Sequence, residues 1–285
     1  MKFCTIRIDG HEEAAVHRPH GLVPIGRLNA VAHGNFSSNL RELVQDSPLS
    51  PLATELERLS VTAPTIADHE VEFGPLYRDP PKLWGVGLNF RRHADELNVK
   101  LLNEQPGSYM RPNTTLIGNG DFIQLPSDVG RVTAEAELGV VIGKRCRNVP
   151  LSDARSVIFG YTCVLDMTAE DLIRRNPRYI PVAKAYDTFC SVGPWLVTED
   201  EIEDLDAVSI ATILNGSVHA ENTVSSMTYR PYWLVSHYSK IMTLEPGDII
   251  STGTPGATVI HNGDVVGARI NGIGNLVNYV EDPHT

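Results

Sequence analysis

Three times in this chain a Gly-Asp pair runs straight into two apolar residues: Gly120-Asp121 before Phe122-Ile123, Gly247-Asp248 before Ile249-Ile250, and Gly263-Asp264 before Val265-Val266. A tight turn feeding at once into a short apolar run is how a chain reverses into a strand. Asn215-Gly216 and Asn271-Gly272 lie between apolar segments, where both turn positions tolerate φ > 0 and two-residue hairpins are favoured. Beyond about residue 80 the chain is therefore predicted to be mostly β. The best helix candidate there starts near Pro231 and places Trp233, Leu234, Tyr238, Ile241 and Met242 at helical spacing until Pro246-Gly247 stops it. A second helical patch runs from Thr168 to Arg175.

The first part of the chain is more mixed. Lys2–Ile8 reads as a strand, Ser38–Leu43 as a weak helix, and Ser50-Pro51 as the N-cap and first position of a helix that carries Leu52, Leu56 and Leu59 on one face. Asp79-Pro80-Pro81-Lys82 interrupts this, because two consecutive prolines fit neither a helix interior nor a central strand. The expected organisation is a small N-terminal domain over residues 1–79 and a larger domain over 80–285, with a mainly β, α+β fold. No long repeat suggests a solenoid or propeller.

Composition narrows the function classes. The 285 residues carry 24 Lys+Arg against 35 Asp+Glu, a formal charge of −11, and 42% are apolar. An acidic chain without basic runs is a poor nucleic-acid partner. The apolar stretches, such as Val157 to Leu165, fall far short of the roughly 20 residues that span a bilayer. Cys4, Cys146, Cys163 and Cys190 form no CxxC pair, so neither a disulfide framework nor a thiolate metal site is indicated. With no leader-like apolar core at the amino terminus, a cytoplasmic location is expected.

Two familiar nucleotide motifs fail. Gly139 to Gly143-Lys144-Arg145 has three residues between its glycines, and arginine where a magnesium-binding hydroxyl belongs. No glycine triplet follows a strand and opens a helix as a dinucleotide site requires.

The remaining polar residues carry more information. If Glu135-Ala136-Glu137 opens the strand that continues through Leu138–Ile142, both carboxylates face the same way with Cα atoms about 6.5–7 Å apart. On a solvated face that is a weak repulsion. In a buried one it demands a cation, and an oxygen-only ligand set selects Mg²⁺, Mn²⁺ or Ca²⁺ over zinc. Asp166, ending the apolar run 29 residues after Glu137, has room to return to the same face, and its plain alternative is a cap for the patch after it. His93 and Glu96 lie three apart, which on a helical turn makes a carboxylate-oriented imidazole or merely a mixed-charge surface. Lys184 stands between Val182-Ala183 and Ala185-Tyr186, where a partly buried ammonium would stabilise an anion. Gly253-Thr254-Pro255-Gly256 is a tight turn whose amides and hydroxyl could cradle a carboxylate.

Taken in order, these pieces resemble the fumarylacetoacetate hydrolase family. The resemblance rests on Gly87-Leu88-Asn89-Phe90 with His93 and Glu96, Glu135-Ala136-Glu137-Leu138-Gly139, Asp166-Met167-Thr168-Ala169, Ala183 to Thr188 with Gly193-Pro194, and Gly253-Thr254-Pro255-Gly256, spanning residues 82–280. It implies a mixed β-roll with a small N-terminal domain, commonly a homodimer. It also implies Mg²⁺ or Mn²⁺ on Glu135, Glu137 and Asp166, water activation by His93 and Glu96, and substrate contacts from Lys184 and Thr254. The implied activity is cleavage of a C–C bond in a 2,4-dioxo acid of the acylpyruvate type. Oxaloacetate decarboxylation or tautomerisation, or isomerisation of an unsaturated oxo-diacid, needs the same enolate and metal. A non-catalytic metal- or ligand-binding protein on the same fold is the further alternative. One departure is visible: Ala169-Glu170-Asp171 stands where family members often have Ala-Arg-Asp.

Overall fold

The long strands Val132–Ile142 and Ile158–Ala169 are apolar on most residues, and each is buried along almost its whole length. Strands with no solvated face must sit inside a sheet covered on both sides. The computed structural model describes residues 1–45, 51–91 and 105–284, without the side chains of 51–53, and shows that arrangement. The two strands pair antiparallel, with Glu135 opposite Asp166 and Glu137 opposite Val164.

Among the described residues the strands make a twelve-stranded and a five-stranded sheet. The larger runs in the order Gly21–Pro24, His11–Arg18, Lys2–Ile8, Cys190–Thr198, Ile158–Ala169, Val132–Ile142, Ile249–Ser251, Leu83–Gly87 and Gly107–Met110. Ala257–Ile260 continues beside Val132–Ile142 and puts Ala257 opposite Glu135. The N-terminal strand pairs with Cys190–Thr198, Lys2 facing Val197 and Cys4 facing Trp195. One sheet thus spans both sides of the diproline.

Strand alternation divides the core. Ala134, Ala136, Leu138, Val140, Tyr161, Cys163 and Leu165 point toward the five-stranded sheet and pack with Ile210, Val266, Ala268 and Leu276. On the other face Val141, Phe159 and Val164 pack with Phe3, Ile25, Leu28, Leu40, Leu43 and Leu56 of the N-terminal strands and helices. Glu135, Glu137 and Asp166 share this second face, at the end away from Val141.

The turn signals hold with one exception: Ile270 pairs with Gly274, so Asn271-Gly272 belongs to a three-residue turn closed by Ile273, in which Gly272 takes positive φ and Asn271 does not. Strands Phe122–Gln124, Ile249–Ser251 and Val265–Ile270 follow the three Gly-Asp pairs, and Asn215 and Gly216 both take positive φ between paired strands. Helices cover Leu40–Val44, Pro51–Ser60 and Pro231–Ile241. The last of these stops at Ile241, before Pro246, and Met242 is already extended. The patch after Asp166 also differs from its sequence pattern. Met167–Ala169 remain in the strand opposite Ala134–Val132, and the helix is Glu170–Arg175. Asp166 lies inside a ladder and caps nothing, because the pairing partner outlasts the local helical preference.

Gly160 shows how tightly the central strands meet: a Cβ there would strike the Val197 carbonyl oxygen and stand 2.9 Å from the Thr198 Cα. Backbone atoms cannot step aside as a side chain can. Gly160→Ala should lower stability by about 1–3 kcal/mol, the usual range for overpacking. A urea unfolding midpoint equal to that of the parent would show that the ladder has slack here.

Candidate active site

The period of the strand and the register of the hairpin bring Glu135, Glu137 and Asp166 together, with ligand oxygens that lie within 4.8 Å of one another. Glu137 and Asp166 are buried and Glu135 is half-buried. Three carboxylates this close, largely out of water, must be compensated or protonated.

Compensation is unequal. Asp166 receives the cations: the Lys184 ammonium donates to its Oδ1 at 2.7 Å, the Arg111 guanidinium pairs with the same oxygen, and the Tyr109 hydroxyl donates to Oδ2. Lys184 also donates to Glu135 Oε2 at 3.1 Å. Arg111 is anchored in turn on the Met167 carbonyl at 2.9 Å and on the Lys184 carbonyl. Among the described residues Glu137 receives neutral donors, the Ser251 hydroxyl and the Gly253 N–H at 2.8 Å, both on Oε2. Burial, and then the charge of Glu135, push the Glu137 carboxyl up to about 7. Burial lowers the Lys184 ammonium from its ordinary value, against the attraction of Glu135. Burial also raises the Tyr109 phenol well above its usual range, so it stays a donor.

The cations and the phenol come from two further segments. Lys184 follows the short helix Ile180–Ala183 as its C-cap, and it is buried, not an edge-strand side chain. Tyr109 and Arg111 come from the strand Gly107–Met110 and the residue after it, with the Arg111 N–H bonded to the Leu83 carbonyl. Gly85 makes room for this: a Cβ there would overlap the Tyr109 ring. The Lys184 ammonium lies 4.7 Å from the centre of the same ring.

The turn Gly253-Thr254-Pro255-Gly256 does cradle a carboxylate, but through the Gly253 amide it is the protein's own Glu137. Thr254 is buried, and its hydroxyl donates to the Gly256 carbonyl and accepts the Gly256 N–H, both at 3.2 Å. Glu170 does not stand free. It pairs with Arg131 and, at 2.8 Å, with Arg174. His93 and Glu96 lie outside the described residues.

Tyr109, Arg111 and Ser251 are site residues that the sequence reading did not single out. The signal for the first two is slight: a four-residue strand in which Tyr109 and Arg111 alternate to one side, ahead of Pro112.

The donor set fits a hard divalent cation. It is all oxygen, and the raised Glu137 carboxyl marks it as short of positive charge. Among the described residues, three carboxylates against Arg111 and Lys184 leave one formal negative charge, which a divalent ion would turn into one positive. A protonated Glu137 is a poor ligand, so Mg²⁺ or Mn²⁺ affinity should fall as pH drops through about 7. Above that pH it should level off. In Glu137→Gln the affinity should be lower and this pH step absent; titration calorimetry at pH 6 and pH 8 measures both.

Residues 82–281 match the family model described as Fumarylacetoacetate (FAA) hydrolase C-terminal. An uncharacterized protein of Archaeoglobus fulgidus is 43% identical over 200 residues, 70% of this chain and 78% of that protein. The oxaloacetate tautomerase YisK of Bacillus subtilis is 30% identical over 272 residues, 90% of this chain and 87% of its own. Among solved structures, maleylpyruvate hydrolase from Sphingobium sp. SYK-6 superposes with a TM-score of 0.83 at 27% identity, covering 99% of this chain and 100% of that one. A second structure of that hydrolase, with the same TM-score, holds manganese(II) and pyruvate.

Proposed function

Since this chain belongs to the fumarylacetoacetate hydrolase family, we propose that it is a divalent-metal enzyme hydrolysing a C–C bond in a 2,4-dioxo acid of the acylpyruvate type. The observation that carries the reading is the convergence of Glu135, Glu137 and Asp166 with the buried Lys184 ammonium in one cluster. Such a cluster suits a 2-oxo acid and the negative charge that grows on it.

Glu135, Glu137 and Asp166 hold Mg²⁺ or Mn²⁺, which when bound supplies Lewis acidity toward the oxo acid. Lys184, already aimed at the carboxylates, presents its ammonium to the enolate oxygen, where fixed charge in a dry site lowers the barrier. Tyr109 and Arg111 keep Asp166 oriented through the reaction. Thr254 borders the substrate. His93, oriented by Glu96, takes a proton from water, and the hydroxide adds to C4. The C3–C4 bond then breaks, its electron pair passes to the enolate, and protonation at C3 releases the shorter 2-oxo acid beside a carboxylic acid. Lys184, His93 and Glu96 are the catalytic residues of this scheme.

Tautomerisation of oxaloacetate is the second reading, favoured by the relative of that name that aligns over 90% of this chain. It uses the same enolate and needs no attacking water.

Turnover of a panel of acylpyruvates, unsaturated oxo-diacids and oxaloacetate, with and without Mg²⁺ or Mn²⁺, tests the proposal. Metal-dependent release of pyruvate from an acylpyruvate is the expected outcome. His93→Ala should then lose about 10²–10⁴-fold in kcat with metal binding retained, and Glu96→Gln should lose less. Tautomerase activity alone, unmoved by His93→Ala, transfers the chain to the second reading. Silence across the panel removes both and leaves a binding protein.

A further inference from the structure

Asn89 is fully buried at 0% exposure, and every polar atom of its side chain is used. Its Nδ2 donates to the carbonyls of Tyr229 and Thr252, each at 2.8 Å, and its Oδ1 accepts the Tyr229 N–H at 2.7 Å. Its backbone carbonyl accepts the Thr228 N–H at 2.8 Å. One amide therefore joins three segments that are far apart in the chain.

Thr252 is the segment that reaches the site. Its N–H and its hydroxyl both donate to the Leu138 carbonyl, at 3.0 and 2.9 Å, next to Glu137 in the long strand. The next residue, Gly253, turns its N–H onto Glu137 Oε2. Gly253 can do so because it takes φ +91°, and a Cβ there would stand 2.8 Å from the Asn89 Cβ. On the other side of Asn89, Leu88 takes φ +56°, which a branched side chain adopts only when its surroundings compel it. Two unusual backbone conformations thus flank one buried amide.

We infer that Asn89 is a positioning residue for Glu137: its amide fixes the Thr252 carbonyl, which sets the direction of the Gly253 N–H and so the orientation of the carboxylate. The inference rests on the reading of Glu135, Glu137 and Asp166 as a cation site. A partner that orients a ligand from outside the coordination sphere typically contributes about 10–100-fold to metal affinity.

The test uses Mn²⁺ binding to the full chain, followed by the electron paramagnetic resonance signal of free Mn²⁺. Asn89→Ala should weaken binding about tenfold. Asn89→Asp, which keeps the shape but replaces the two N–H donors with a carboxylate oxygen facing the Tyr229 and Thr252 carbonyls, should do the same and decides the matter if the alanine variant does not fold. Ser251→Ala acts on the same Glu137 oxygen, so its effect should not multiply with that of Asn89→Ala; Tyr109→Phe acts at Asp166, and its effect should multiply. A general loosening of the fold would lower the melting temperature and leave Mn²⁺ affinity within twofold of the parent, and that overturns the inference. Simple multiplication with Ser251→Ala overturns it too. A parent protein that takes up no Mn²⁺ removes the cation site and this inference together, whereas a parent that binds beside an Asn89→Asp variant that binds equally removes the inference alone.

Discussion

Everything around the site answers one repulsion. Glu135, Glu137 and Asp166 are set side by side by strand alternation on a ladder that is buried on both faces. Ions removed from water are penalised by several kcal/mol each even after relaxation, and like charges add to that. The chain responds by bringing Arg111 and Tyr109 from one segment and Lys184 from another to Asp166, and by aiming a hydroxyl and an amide at Glu137. The connections between those segments serve this meeting as much as they serve the core.

The response leaves the carboxylates chemically different. Asp166 is surrounded by fixed positive charge, whereas Glu137 has neutral donors and holds its proton up to about 7. A cation arriving here finds one ligand already ionised by its neighbours and another that has to give up a proton. Cation binding at this cluster would thereby be tied to near-neutral pH through Glu137.

Much of this was readable in the residues, for identifiable reasons. A strand has a period of two, so Glu135 and Glu137 had to share a face, and the interval to Asp166 allowed a return to it. Gly253–Gly256 was readable as a turn from its composition, but the group it holds was not, because that depends on which strand lies alongside. Tyr109 and Arg111 were missed because a four-residue strand next to Pro106 and Pro112 has too little pattern to announce burial. The continuation of Asp166 as a strand was hidden by helix-compatible residues after it, whose fate was set by pairing with Ala134 and Thr133. His93 and Glu96 remain a reading of sequence.

The union of the first strands with Cys190–Thr198 has a practical side. That strand lies against Ile158–Ala169, which carries Asp166, and its outer margin is occupied by Lys2–Cys4. A fragment cut to begin ahead of Leu83 would expose this margin as a row of idle backbone donors and acceptors, one strand away from the site, beside the apolar patch vacated by Phe3 and Leu28. Such a fragment would be prone to zip onto copies of itself. The first three strands, with Gly21–Pro24 outermost, act as a selvedge, the finished border that keeps the weave of the sheet from taking up another thread.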